Sequence, residues 1–156
     1  MSMTRLVLAA ALCALVAAAA VPLAGARASC TAGMKTVGGV SERTFCGPAK
    51  ATVHYGSQTW TFSQGECAKS PYFSVNIGTV VLGTSSKPKP DYFGLTAQKS
   101  GGSWKAIAVV FDHGGKGYPV RTDTAKVTVS PGGTKGTFAG TSFLGGTKVS
   151  GTFSCG

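Results

Sequence analysis

The stretch Ala51-Thr52-Val53-His54-Tyr55-Gly56-Ser57-Gln58-Thr59-Trp60-Thr61-Phe62-Ser63 carries the fold class. Apolar and polar residues alternate with period two on both sides of Gly56-Ser57, the pattern of two half-buried strands joined by a tight turn. Gly56 stands first in the two-residue turn, where a type II′ turn needs positive φ. The turn sets the register. Tyr55 falls opposite Gln58, Val53 opposite Trp60 and Ala51 opposite Phe62 on one face, while His54 meets Thr59 and Thr52 meets Thr61 on the other. The first face, with Val53, Trp60 and Phe62, is the core face.

The same alternation predicts further strands over 73–82, 92–98, 104–112, 124–130, 135–143 and 147–155. Beyond residue 28 the chain has three leucines against twelve valines, seventeen threonines and fourteen aromatic residues, a balance that suits a pleated surface and not a helix. Over 147–155, Val149, Gly151, Phe153 and Cys155 share one face, and Lys148, Ser150, Thr152 and Ser154 the other, so Cys155 points inward. Over 104–111 both faces are apolar, with Ala106, Ala108 and Val110 on one and Ile107, Val109 and Phe111 on the other, which predicts a central strand covered on two sides. The expected fold is all-β: an antiparallel β-sandwich, or a partly closed barrel, stapled by disulfides, with the sandwich preferred. Residues 49–156 form that domain. Residues 29–48 fit no strand pattern and read as an N-terminal arm tethered by its disulfide. Residues 85–91, with Pro88 and Pro90 between lysines, read as a stiff exposed loop. Gly136-Thr137-Phe138 is echoed by Gly151-Thr152-Phe153, one echo across a hairpin and no solenoid repeat.

Residues 1–28 have the form of a cleaved signal peptide. Arg5 follows the amino terminus, residues 6–24 are an apolar run broken only by Pro22, and Ala26-Arg27-Ala28 puts small residues at the positions a signal peptidase requires for a cut before Ser29. A retained membrane anchor would be less rich in alanine and would end in a basic cluster, so no transmembrane span is expected after cleavage. Lipid attachment at Cys30 is disfavoured by Arg27, because lipoprotein signals carry an apolar residue there. What remains is a chain of about 128 residues with a net charge near +8, large enough for a core of its own.

Export implies an oxidising compartment, so Cys30, Cys46, Cys67 and Cys155 read as disulfide partners, and Cys13 leaves with the signal. Three connectivities are open to four cysteines. The favoured one joins Cys30 to Cys46, tethering the arm, and Cys67 to Cys155, tying the chain end to the body. No spacing suits a zinc or calcium site, and no metal or other cofactor is expected.

Proton carriers are few. His54 lies on the polar face of its hairpin and reads as a solvated strand histidine. Asp112 and His113 are the better catalytic candidates, since they end a strand and open the loop Gly114-Gly115-Lys116-Gly117; the plainer alternative is a polar turn. The loop is no P-loop, lacking Ser or Thr after its lysine, and no Gly-x-Ser-x-Gly elbow is present. Eleven of the thirteen cations after residue 28 are lysines, and they are scattered. Lysine is a hydrated point charge and reads phosphate without the bidentate geometry of arginine, so no specific nucleic-acid partner is expected.

Gly65-Glu66-Cys67, then Val75-Asn76-Ile77-Gly78, then Lys148-Val149-Ser150-Gly151-Thr152-Phe153-Ser154-Cys155 resemble the mycobacterial lipoprotein-antigen family, the LpqH-like proteins. The likeness covers about residues 49–156. It implies a β-rich surface domain in which Cys67 and Cys155 match the family's cysteines and pair, in an actinobacterial envelope or secreted protein without known catalysis. Two features depart from that pattern: the lipid-attachment motif is missing ahead of Cys30, and Cys30 and Cys46 are extra.

The functional expectation is a secreted or cell-surface, non-enzymatic, monomeric module that contacts an unidentified surface or envelope partner. The competing expectation is a small extracellular hydrolase using Asp112 and His113, with Asp123 as a further carboxylate.

Overall fold

The computed structural model describes residues 29–85 and 87–156, so the signal peptide expected over 1–28 lies outside the described residues. Eleven strands form one all-β domain: β1 Gly33–Val37, β2 Val40–Phe45, β3 Ala49–Tyr55, β4 Gln58–Ala68, β5 Phe73–Leu82, β6 Tyr92–Ser100, β7 Ser103–His113, β8 Lys116–Pro119, β9 Lys126–Val129, β10 Lys135–Thr141 and β11 Lys148–Ser154. No helix among the described residues is long and apolar enough to cross a membrane.

Of the two architectures the sequence leaves open, the chain adopts the barrel, and the barrel is closed. Strands β3, β4, β5, β6 and β7 form an antiparallel meander, β9, β10 and β11 continue it, and β11 pairs back onto β3 from Val149↔Tyr55 to Ser154↔Lys50. Closure leaves these eight strands with no free edge. The weakest seam joins β7 to β9 through two pairs, Trp104↔Val127 and Lys105↔Lys126. At the other end of β7 the gap is filled by β8, whose continuation bridges Val120 to Ser142 beside β10.

The hairpin register holds at every expected pair: Tyr55↔Gln58, His54↔Thr59, Val53↔Trp60, Thr52↔Thr61 and Ala51↔Phe62. Gly56 has φ of +58°, as its turn position demands. Inward residues fill the barrel, with the rings of Phe62, Phe93 and Phe138 in sequence at 6.0 and 5.3 Å and Phe73 against Phe153 at 5.5 Å. The Gly-Thr-Phe echo has a packing cause. Gly136 pairs with Phe153 and Phe138 with Gly151, so each ring lies over the other strand's glycine. Both disulfides form as expected, Cys30–Cys46 and Cys67–Cys155, with Cα atoms 5.8 and 5.6 Å apart.

Two expectations are corrected. The segment 29–48, expected to be an arm without strands, contains the β1–β2 ribbon, which continues the sheet along the far half of β5. Its residues are exposed or half-buried up to Phe45, so no burial alternation marks them. The second correction concerns β7, which is covered on one side only until its last residues, where Asp112 is buried. Between Thr96↔Ala108 and Ala97↔Ala106 the ladder skips Ile107, a bulge that switches which residues face inward. Trp104 and Ala106 pack inward before it, Val109 and Phe111 after it, and Ile107 is 46% exposed.

Candidate functional site

The turns at 56–57 and 114–115 and the loops at 83–91 and 142–147 meet at one end of the barrel, because consecutive strands alternate in direction. Asp112 and His113 lie at this end, at the close of β7. Being adjacent on a strand, they point to opposite sides and form no dyad. His113 turns toward the barrel mouth, where its imidazole lies 4.9 Å from the Trp60 ring and 6.2 Å from the Phe62 ring. Its Nδ1 is 3.2 Å from Asp91 Oδ2, and the amide of Gly114 donates to Asp91 Oδ1 at 3.2 Å. The pair therefore pins the 83–91 loop to the 114–115 turn.

Asp112 points outward yet is only 4% exposed, covered by the same loop. Lys89 Nζ reaches its Oδ1 at 3.4 Å. Burial raises the Asp112 carboxyl above its ordinary value, and Lys89 partly opposes the rise. Beside it, Tyr92 donates to Asn76 Oδ1 at 2.7 Å. Burial, with the Asp112 charge adding to it, pushes the Tyr92 phenol up to about 12. Asp123, the third carboxylate considered, is held on an outer loop by Arg121 at 2.6 Å. Among the described residues no serine or threonine hydroxyl is bonded to His113, and no cluster of histidine, cysteine and carboxylate side chains could hold a metal ion. These residues act as a clasp on a loop.

A different surface collects side chains of one chemical kind. On the outside of β4, β3, β11, β10 and β9, five threonines stand in one row straight across five strands: Thr61, Thr52, Thr152, Thr137 and Thr128. The row on one side is Thr59, His54, Ser150, Ala139 and Lys126. On the other side it is Ser63, Lys50, Ser154, Lys135 and then Ser130, whose amide donates to the Lys135 carbonyl. Ten of the fifteen positions carry a hydroxyl, three carry lysine, and none carries a carboxylate. Thr128 and Thr137 share a hydrogen bond at 2.7 Å and His54 Nδ1 bonds Thr59 at 2.9 Å. The twist of the sheet makes the surface shallowly concave, about 680 Å³ along the threonine row.

Threonine rows stabilise sheets by themselves, through β-branching and cross-strand pairing. Sheet stability does not explain the charges. Opposite charges across strands would be stabilising, but Lys50 faces Ser63 and Ser154, and Lys135 faces Ser154. At the edge of the face Lys126 lies opposite Lys105, a like-charge pair. All five acids of the chain are engaged elsewhere: Glu42 with Lys35, Glu66 with Arg43, Asp91 with His113, Asp112 with Lys89 and Asp123 with Arg121. No Asp or Glu side chain pairs with a lysine of this face. Strand alternation places parts of the face, the pairing of Thr52 with Thr61 and the shared side of Ser150, Thr152 and Ser154, but not the row.

Comparisons with family models, with curated proteins and with solved structures each return no match, so no relative assigns a role to either region.

Proposed function

We propose that this protein is an exported, non-enzymatic β-barrel module that binds a surface or envelope component through the outer face of β4, β3, β11, β10 and β9. One observation carries the reading: an exposed surface of ten hydroxyls and three lysines without a carboxylate, hollowed along the threonine row and its Lys50 and Lys135 side, in a chain whose Asp and Glu side chains are all paired elsewhere. Such a surface holds a standing positive potential toward partners. Two disulfides in a domain of this size support export, since such bonds persist where thiols are not kept reduced. The resemblance to the LpqH-like antigens points the same way.

The hydrolase alternative draws on the Asp91–His113 contact, which has the form of an orienting carboxylate on a histidine. Its imidazole is packed on Trp60 with no nucleophile bonded to it among the described residues, so the binding reading is preferred.

The test is adsorption of the purified, oxidised protein to insoluble cell-envelope material. The double variant K50E/K135E reverses two charges on the face and should abolish adsorption, whereas H113A should leave it intact. Equal adsorption of wild type and K50E/K135E would overturn the reading.

A further inference from the structure

We infer that the ligand of this face is a linear anionic polysaccharide of the polyuronate type, with a carboxylate on each sugar; this inference rests on the binding reading above. The threonine row crosses five strands at about 4.8 Å per step. Lysines stand on both sides of it. Lys126 is two residues along β9 from Thr128, roughly 7 Å to one side, and Lys50 and Lys135 are displaced by the same amount to the other. A β-linked uronate chain turns each sugar over relative to the last, so its carboxylates leave on alternate sides. Laid along the threonines, it offers charge to both flanks and hydroxyls to the centre.

The hydroxyls discriminate between polyanions. Each serine or threonine both donates and accepts, which complements the hydroxyls of a polyol. A phosphate polymer offers acceptors alone and would be met better by arginine, of which the face has none. Single-stranded nucleic acid calls for broad aromatic platforms, and none of the fifteen positions is Phe, Tyr or Trp. Lipid insertion calls for protruding apolar side chains, whereas Ala139 is the one apolar residue of the fifteen outward positions and Ala51, Val129 and Phe153, which also line the hollow, belong to the core side of their strands. A neutral glycan would leave the lysines unpaired. The opposition of Lys105 and Lys126 adds a reason for an anion, since a bound carboxylate relieves a repulsion that the free protein retains.

The experiment titrates the ¹⁵N-labelled, oxidised protein with three soluble probes of equal length: a β-1,4-mannuronate oligomer, a linear polyphosphate and a neutral dextran oligomer. Amide shifts of Thr52, Thr61, Thr128, Thr137 and Thr152 are read at low salt and at about 0.5 M NaCl, where the screening length falls to roughly 4 Å. The mannuronate oligomer is expected to shift these amides, to lose most of the effect at high salt, and to bind the correctly folded K50Q/K126Q/K135Q variant on the order of tenfold more weakly, from a few-fold per exposed pair. If polyphosphate or dextran shifts the same amides as strongly, the uronate assignment is overturned and the binding face stands. If mannuronate moves no amide on the face while envelope adsorption is still lost in K50E/K135E, the ligand class alone fails. If adsorption is also indifferent to K50E/K135E, both fail.

Discussion

Removing the Cys67–Cys155 bond separates what the fold holds by hydrogen bonds from what it holds by restricting the unfolded chain. The Cys155 amide already donates to the Thr134 carbonyl at 2.8 Å, and β11 is paired on both sides, to β3 and β10. The native barrel is therefore expected to keep its shape without the bond, so that the loss falls on the denatured ensemble. The bond spans 88 residues of chain and the Cys30–Cys46 bond spans 16. Loop-closure entropy then gives about 4.6 kcal/mol for the first and about 3.1 kcal/mol for the second. Against a total stability of roughly 5 to 15 kcal/mol, loss of the longer bond leaves a domain close to its folding threshold. The assay is urea unfolding of C67A/C155A and C30A/C46A beside the wild type, followed by tryptophan fluorescence, with near-UV spectra to check that each variant is folded in buffer. C67A/C155A should be the less stable by about 1.5 kcal/mol. If C30A/C46A were as damaging or more so, chain entropy would not be what the bonds supply, and the ribbon β1–β2 would have to be part of the cooperative core.

Further outcomes follow from the interior and from titration. A Cβ on Gly151 would stand 2.5 Å from Cζ of Phe138 and would also meet the Thr52 carbonyl oxygen, so G151A should cost about 2 to 3 kcal/mol by overpacking. In an F138A background part of that cost disappears, and a double-mutant cycle by urea denaturation should show coupling of about 1 kcal/mol; additivity would refute the ring-over-glycine arrangement. Tyr92 is held up to about 12, so the folded state keeps its phenolic proton after the unfolded chain has lost it. Its stabilising share is whole below pH 10 and is lost as pH rises to 12, a fall of roughly 2 to 3 kcal/mol that alkaline unfolding curves should show and Y92F should lack. Asp112 is also raised by burial, so its share is whole below the ordinary carboxylate value and declines as pH rises through the raised one; D112N should flatten that part of a stability profile.

The parts of the fold legible in the sequence are those whose information is local. The β3–β4 register follows from one glycine and the ten residues of five facing pairs around it, and the bounds of β5 match the expected 73–82 because Phe73, Val75 and Ile77 alternate with polar neighbours up to an apolar end. Where a strand is not half-buried, the signal vanishes. β1 is exposed throughout, since it pairs only with β2 outside the barrel, and its residues Gly33 to Val37 carry no inside and outside to alternate. β8 is four residues with a glycine and a proline, and it is a strand because β7 leaves a gap beside it. The bulge at Ile107 is why β7 resembles a two-sided strand: an inserted residue places inward residues of both parities in one run, and from sequence that run cannot be told from a strand buried on two sides.

The candidate site is illegible for a stronger reason. Each threonine of the row is an ordinary outward residue of its own strand, and alternation predicts that it faces water, as it does for Thr52, Thr61 and Thr152. What makes a row of them is the alignment of Thr52 with Thr152, residues one hundred positions apart, which exists only because β11 returns to β3 and closes the barrel. Hairpin turns set register between neighbours; closure sets it between the ends, through the match of interior volumes that places Phe153 opposite Ala51 and Gly151 opposite Val53. A slip of one residue at that seam would turn Phe153 outward and Thr152 inward. The packing of the core therefore positions the face: the large ring at Phe153 beside the small side chain at Ala51 holds the register in which Thr152 continues the line from Thr52 to Thr137. Enlarging Ala51 to Leu should consequently disturb the outer face through the core, moving the amides of Thr152 and Thr137 together, and a variant that folded with those two amides unmoved would separate the face from the core that places it.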